Sequence, residues 1–212
     1  MNPQLQPIEY DTTLAACDAT ITTVINALLK DFLTLKFSTI CSSSSCSPVF
    51  PISKVNLSYQ TTDGKIRKLQ EFLDNCITPE KSKCGYKLSD TPCEGIKEII
   101  PTISELHLFI DIFFWEGEEN SSKNRSSETT EQVKMKLCDI PQILIHNSVT
   151  YELRGVISFH LGKSKLRNTI GHYNGYAKRG TGSWDLFDDL KKKPIPTKAS
   201  KIVPVETLMY TI

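Results

Sequence analysis

Gly171-His172-Tyr173-Asn174-Gly175-Tyr176, followed by Trp184-Asp185-Leu186-Phe187-Asp188-Asp189, is the stretch that decides the fold. Tyr173, Gly175 and Ala177 alternate with Asn174, Tyr176 and Lys178, the period of a strand. Arg179-Gly180-Thr181-Gly182-Ser183 supplies turn residues, and Trp184 to Phe187 runs back. The two arms are about equally long, so such a hairpin can return Asp188 to the side of His172. A carboxylate there fixes the imidazole tautomer and stabilises the imidazolium formed when the ring takes a proton from a nucleophile. His172 and Asp188 are therefore candidate base and orienting acid, with Asp189 as a supporting carboxylate.

Upstream, Ile140-Pro141-Gln142-Ile143-Leu144-Ile145 and Tyr151-Glu152-Leu153-Arg154-Gly155-Val156-Ile157 read as strands leading to the hairpin. Taken with Gly-His-Tyr and Trp-x-x-Phe-Asp-Asp, they resemble the histidine box and approach strands of ubiquitin-specific proteases. The resemblance is clear from Ile140 onward and weaker over the rest. It implies a papain-like α+β fold, a mainly antiparallel fingers and palm sheet with an N-terminal helix. It implies hydrolysis of the isopeptide bond at the ubiquitin C-terminus by a cysteine thiolate. His172 would be the base, Asp188 would orient it, and Gly171 and Tyr173 would line the channel for the substrate's glycine tail.

The bounds of the chain agree with one domain. Its 212 residues suffice for one substantial core. Lys and Arg number 25 against 24 Asp and Glu, a net charge of +1. That balance gives no reason to expect nucleic acid or an anionic membrane as principal partner. No apolar run reaches the ~18 residues of a membrane span. The N-terminus lacks the basic start and apolar core of a secretion signal. Seven cysteines without such a signal point to a reducing compartment, cytoplasm or nucleus, where they mean metal, catalysis or burial.

From Asp18, a plausible N-cap, Ile21, Val24, Ile25, Leu28, Leu29 and Phe32 recur at helical spacing, so a helix is expected over 17–36. Cys17 stands just before it, where a helix dipole would stabilise a thiolate. Its place ahead of His172 and Asp188 also suits a papain-like chain, which makes it a nucleophile candidate. The family's own cysteine box, Asn-x-Gly-Asn-Thr-Cys-Tyr, is not found: Thr12-Thr13-Leu14-Ala15-Ala16-Cys17 has neither the Gly nor the Asn. Asp18-Ala19 instead resembles the start of the family's Asp-Ala-x-Glu-Phe helix, which would make Cys17 a buried core thiol. On that reading the domain is truncated at its N-terminus, or it has lost catalysis and kept binding.

Cys41 and Cys46 flank four serines, and Cys84 and Cys93 flank a turn-rich segment. Two such pairs can hold one tetrahedral zinc, and they remain open to the reading of free thiols. The family's fingers carry two cysteine pairs separated by a helical stretch, which Gly64 to Leu73 would supply, although its pairs are spaced Cys-x-x-Cys. No cofactor is expected for catalysis itself. Cys76 and Cys138 read as core residues.

Residues 37–98 are thus expected to be fingers-like and 99–212 palm. The palm holds a buried central strand at Glu105 to Trp115, and the polar segment 117–130 reads as a flexible insertion. The partner expected from the resemblance is ubiquitin or a ubiquitin-like protein. Two alternatives stand beside deubiquitination: a catalytically dead binding module, and a protease for another ubiquitin-like modifier.

Overall fold

The computed structural model describes residues 5–7, 13–15, 21–44, 46, 53–61, 63–88, 91–114, 132–160 and 172–212. In chain order the elements are β1 (Leu5–Pro7), β2 (Thr13–Ala15), α1 (Ile21–Leu28), β3 (Leu35–Cys41), β4 (Leu57–Thr61), α2 (Leu69–Cys76), β5 (Glu80–Lys83), β6 (Lys87–Leu88), β7 (Thr91–Pro92) and β8 (Ile96–Ile103). Then follow β9 (His107–Phe114), β10 (Val133–Lys136), β11 (Ile143–His146), β12 (Val149–His160), β13 (His172–Lys178), β14 (Trp184–Phe187), β15 (Ile195–Thr197), β16 (Ile202–Val205) and β17 (Thr207–Thr211). The described chain is mostly β with two helices, and no helix in it is long and apolar enough to cross a membrane.

An eight-stranded sheet runs β15-β14-β13-β12-β17-β9-β4, with β11 also paired to β12. Every pairing is antiparallel except β4 with β9. Strand β9 lies between β17 and β4, so both of its backbone edges are paired; Leu108, Ile110 and Ile112 are buried on one face, and Asp111 is buried on the other. Asn147 and Ser148, both at positive φ, turn β11 into β12. The Gln70 amide of α2 donates to Ile145 O at 2.8 Å and accepts from Ile145 N at 2.9 Å, so it occupies the open backbone edge of β11. The core gathers Leu57, Ile66, Leu69, Leu73, Leu108, Ile110, Leu144, Tyr151, Val156, Tyr176, Trp184, Leu208 and Tyr210.

A separate three-stranded sheet runs β3-β8-β5. Strand β8 spans both sides of the expected boundary at residue 99, and β4, within the stretch 37–98 expected to be fingers-like, joins the large sheet. The helix expected over 17–36 is shorter where it is described: it ends at Leu28, residues 29–34 form turns, and β3 begins at Leu35. Ile25 is the buried residue of α1, and Leu28 and Phe32, placed on the apolar face by spacing, are exposed. The helix rests on the sheet through polar contacts as well: Thr22 Oγ1 donates to Asp111 at 2.9 Å and Ile21 N donates to Tyr173 Oη at 3.2 Å. Cys76 packs against the core as expected, whereas Cys138 is exposed, since Leu137–Asp139 forms a surface 3-10 turn with Leu137 as its buried member.

Candidate active site and cysteine cluster

The hairpin β13–β14 builds the first cluster. Gly175 pairs with Phe187 and Lys178 with Trp184, and Gly182, at φ 86°, closes the turn with its amide donating to Arg179 O at 2.8 Å. Two residues past Leu186, the chain brings Asp188 to His172. His172 Nε2 donates to Asp188 Oδ1 at 2.8 Å, and Asp189 Oδ1 lies at 3.3 Å from the same nitrogen. A carboxylate only accepts, so the ring proton sits on Nε2 and the lone pair on Nδ1. Asp188 also accepts from Leu190 N at 3.0 Å. The His172 bond first, then the Leu190 amide, hold the Asp188 carboxyl below the ordinary carboxylate range. Its side chain is 13% exposed, whereas that of Asp189 is 81% exposed. Asp188 is thus the fixed partner and Asp189 the solvated one.

Tyr173 points to the opposite face of β13, where its ring stacks on Phe159 at 4.7 Å and its hydroxyl receives the Ile21 amide. Cys17 and Gly171 lie outside the described residues.

Sequence reasoning missed two neighbours of this site and one buried acid elsewhere in the sheet. His160 pairs with His172 across β12 and β13, and its Nε2 lies 3.3 Å from Ser158 Oγ. Burial first, then the charges of His172 and Lys201, push its pKa below the usual histidine value. Asn174 Oδ1, two residues from His172 on the same face, is buried and has no hydrogen-bond partner among the described residues. Asp111, 1% exposed, accepts from Thr22, from Asn56 and from Thr207 Oγ1 at 2.7 Å, and so ties α1, the approach to β4 and β17 together. The alternation of β12, continued to its end, would have placed His160 on the face of His172; no local signal marks Asp111.

The second cluster joins Cys41, Cys46, Cys84 and Cys93, whose sulfurs all lie within 4.8 Å of one another. The close contacts run between the sequence pairs: Cys41 to Cys93 at 3.7 Å and Cys46 to Cys84 at 3.5 Å. Zn–S bonds of about 2.3 Å at tetrahedral angles separate sulfurs by about 3.8 Å, so the four thiols could hold a structural zinc. The surrounding backbone suits thiolates. Ser43 N donates to Cys41 at 3.5 Å, and Gly95 N donates to Cys93 at 3.4 Å and lowers that thiol's pKa. Burial, then the neighbouring thiols, push Cys46 up, the strain that a shared cation would relieve. At Gly95 a Cβ would meet Cys41 Sγ at 2.8 Å, so only glycine lets the two loops approach.

No family model and no curated protein matches this sequence. Solved structures do. A SAGA DUB module containing a Ubp8 variant, Sgf11, Sus1 and Sgf73 is similar at TM-score 0.47 and 21% identity, over 84% of this chain and 40% of that one. The yeast SAGA DUB module with an Sgf73 variant gives 0.45 and 23%, over 85% and 40%. A SAGA DUB module bound to monoubiquitin gives 0.47 and 19%, over 95% and 44%. The chain thus spans 40% to 44% of the length of these structures. In its histidine box, its His172–Asp188 contact and its four gathered cysteines, the chain resembles the fingers and palm portion of ubiquitin-specific proteases.

Proposed function

We propose that this chain is the fingers and palm of a ubiquitin-specific-protease-like domain, serving thiol-dependent hydrolysis of isopeptide bonds at the ubiquitin C-terminus. The observation that carries this reading is the His172–Asp188 contact at 2.8 Å, which holds the proton on Nε2 and keeps Nδ1 basic. His172 takes the proton of a cysteine thiol and later gives it to the leaving amine, while Asp188 orients the ring and stabilises its charged form. Zinc on the four cysteines contributes folding energy to the fingers and takes no part in the reaction. The cytoplasm or nucleus, where thiols stay reduced, is the compartment that suits these cysteines.

Cys17 is the candidate nucleophile within the chain. It stands ahead of the helix α1, and ahead of His172 and Asp188 in the sequence, the order of a papain-like chain. The absence of Asn-x-Gly-Asn-Thr-Cys around Cys17 favours a second reading, a module that binds ubiquitin without turnover. A panel of ubiquitin and ubiquitin-like proteins bearing C-terminal electrophiles separates the readings. Adduct formation with ubiquitin alone supports deubiquitination, adducts with another modifier redirect the specificity, and binding without any adduct supports the second reading.

A further inference from the structure

The surroundings of His172 Nε2 hold more negative charge than an orienting acid requires. A neutral ring has one hydrogen on that nitrogen, and Asp188 takes it at 2.8 Å. Asp189 Oδ1, at 3.3 Å, places a second carboxylate on the same atom without a hydrogen of its own to accept from it. The Nε2 and carboxylate oxygen atoms all lie within 4.8 Å of one another. Ligand atoms bound to zinc at about 2.0–2.1 Å are about 3.3–3.4 Å apart at tetrahedral angles, and Nε2 stands within about half an ångström of that spacing from each carboxylate oxygen.

We propose that His172, Asp188 and Asp189 bind a zinc(II) ion, separate from the cysteine cluster, and that this ion blocks the ring as a base. Imidazole with carboxylates suits zinc and its transition-metal neighbours over magnesium or calcium. The ion occupies the Nε2 lone pair, so the ring's single proton moves to Nδ1, the nitrogen that would otherwise accept the thiol proton. Metal occupancy and base chemistry are therefore mutually exclusive. Lys191 near Asp188, and His160 paired with His172 and itself near Lys201, oppose a cation, which makes the site weak and exchangeable, unlike a four-thiolate site. The binding stands on the three groups alone; the block rests on the protease reading above.

The test uses the full chain, first loaded with zinc at the cysteines and desalted, then titrated with Zn²⁺ by calorimetry, with Mg²⁺ as control. Imidazole NMR follows the ring tautomer in parallel. The expected result is a second, exchangeable zinc, no response to Mg²⁺, and a switch of the His172 proton from Nε2 to Nδ1. Asp189→Asn, at a solvated position that leaves folding intact, weakens this zinc about 10- to 100-fold. His172→Gln abolishes it. No second zinc, or one that both variants retain, overturns the site. A second zinc with these properties that leaves ubiquitin-electrophile labelling unchanged, in protein that does label, overturns the block alone. If the protein never labels, the protease reading fails and the calorimetry still decides the site.

Discussion

His172 and Asp188, sixteen residues apart, meet at 2.8 Å through a single hydrogen bond, and a second bond from Leu190 N keeps the carboxylate aimed at the ring. The carboxylate is what places the proton on Nε2. Asp188→Asn presents either an amide N–H or a neutral carbonyl to that nitrogen, so the tautomer is no longer fixed. Thiol reactivity toward a ubiquitin electrophile should fall by roughly 10⁴-fold, the scale seen when a triad acid becomes an amide. Unchanged denaturant unfolding beside the lost labelling would attribute the effect to the ring and not to the fold.

Asp111 is a fully buried acid that accepts from three side chains: Thr22 of α1, Asn56 just before β4 and Thr207 of β17. Asp111→Ala leaves the Thr22, Asn56 and Thr207 donors without their acceptor, and should cost roughly 2–5 kcal/mol in urea unfolding. Thr22→Val removes one bond and should cost about 1 kcal/mol. Equal costs for the two variants would mean that the network does not centre on the carboxylate.

If the four cysteines hold zinc, Cys84→Ser or a strong chelator should remove one zinc per chain. Amide hydrogen exchange should then rise in β3, β5 and β8, while β12, β13 and β14 keep their protection. Gly95→Ala, which drives a methyl into Cys41, should weaken zinc retention in the same assay. Uniform loss of protection across both sheets would show that the three-stranded sheet and the large sheet unfold as one unit.

Burial, with the charges of His172 and Lys201, depresses the folded-state pKa of His160, and only Asp188 opposes it. A histidine depressed on folding contributes stability that is present above its unfolded value of about 6.5 and is lost as pH falls through the folded value. Stability should therefore decline below pH ~6.5 in the wild type, and His160→Gln should flatten that decline. The difference in unfolding free energy between the two proteins, followed from neutral to acid pH, checks the sign. A wild type that gains stability on acidification relative to His160→Gln would reverse the assignment.

The hairpin was legible because its signals are local: alternation, a glycine turn and arms of matched length around His172 and Asp188. The cysteines were legible as a set but not in their contacts. Cys41 touches Cys93 and Cys46 touches Cys84 because two loops interleave, and sequence spacing reports nothing of that. The end of α1 was misread because Leu29 and Phe32 continue the helical apolar spacing past Leu28 into a turn, where Phe32 is exposed. Asp111 was illegible for a different reason. Its donors stand 89, 55 and 96 residues away, and an isolated acid in an apolar run carries no mark of them.

The most direct test of the central claim is intact mass after incubation with ubiquitin bearing a C-terminal thiol-reactive group. Wild type is compared with Cys17→Ala and His172→Ala. The account predicts a one-to-one adduct in the wild type that His172→Ala loses, and loss in Cys17→Ala as well would make Cys17 the nucleophile. An adduct that forms equally well in His172→Ala, or none at all from folded wild type, would contradict a base role for the His172–Asp188 pair in this chain.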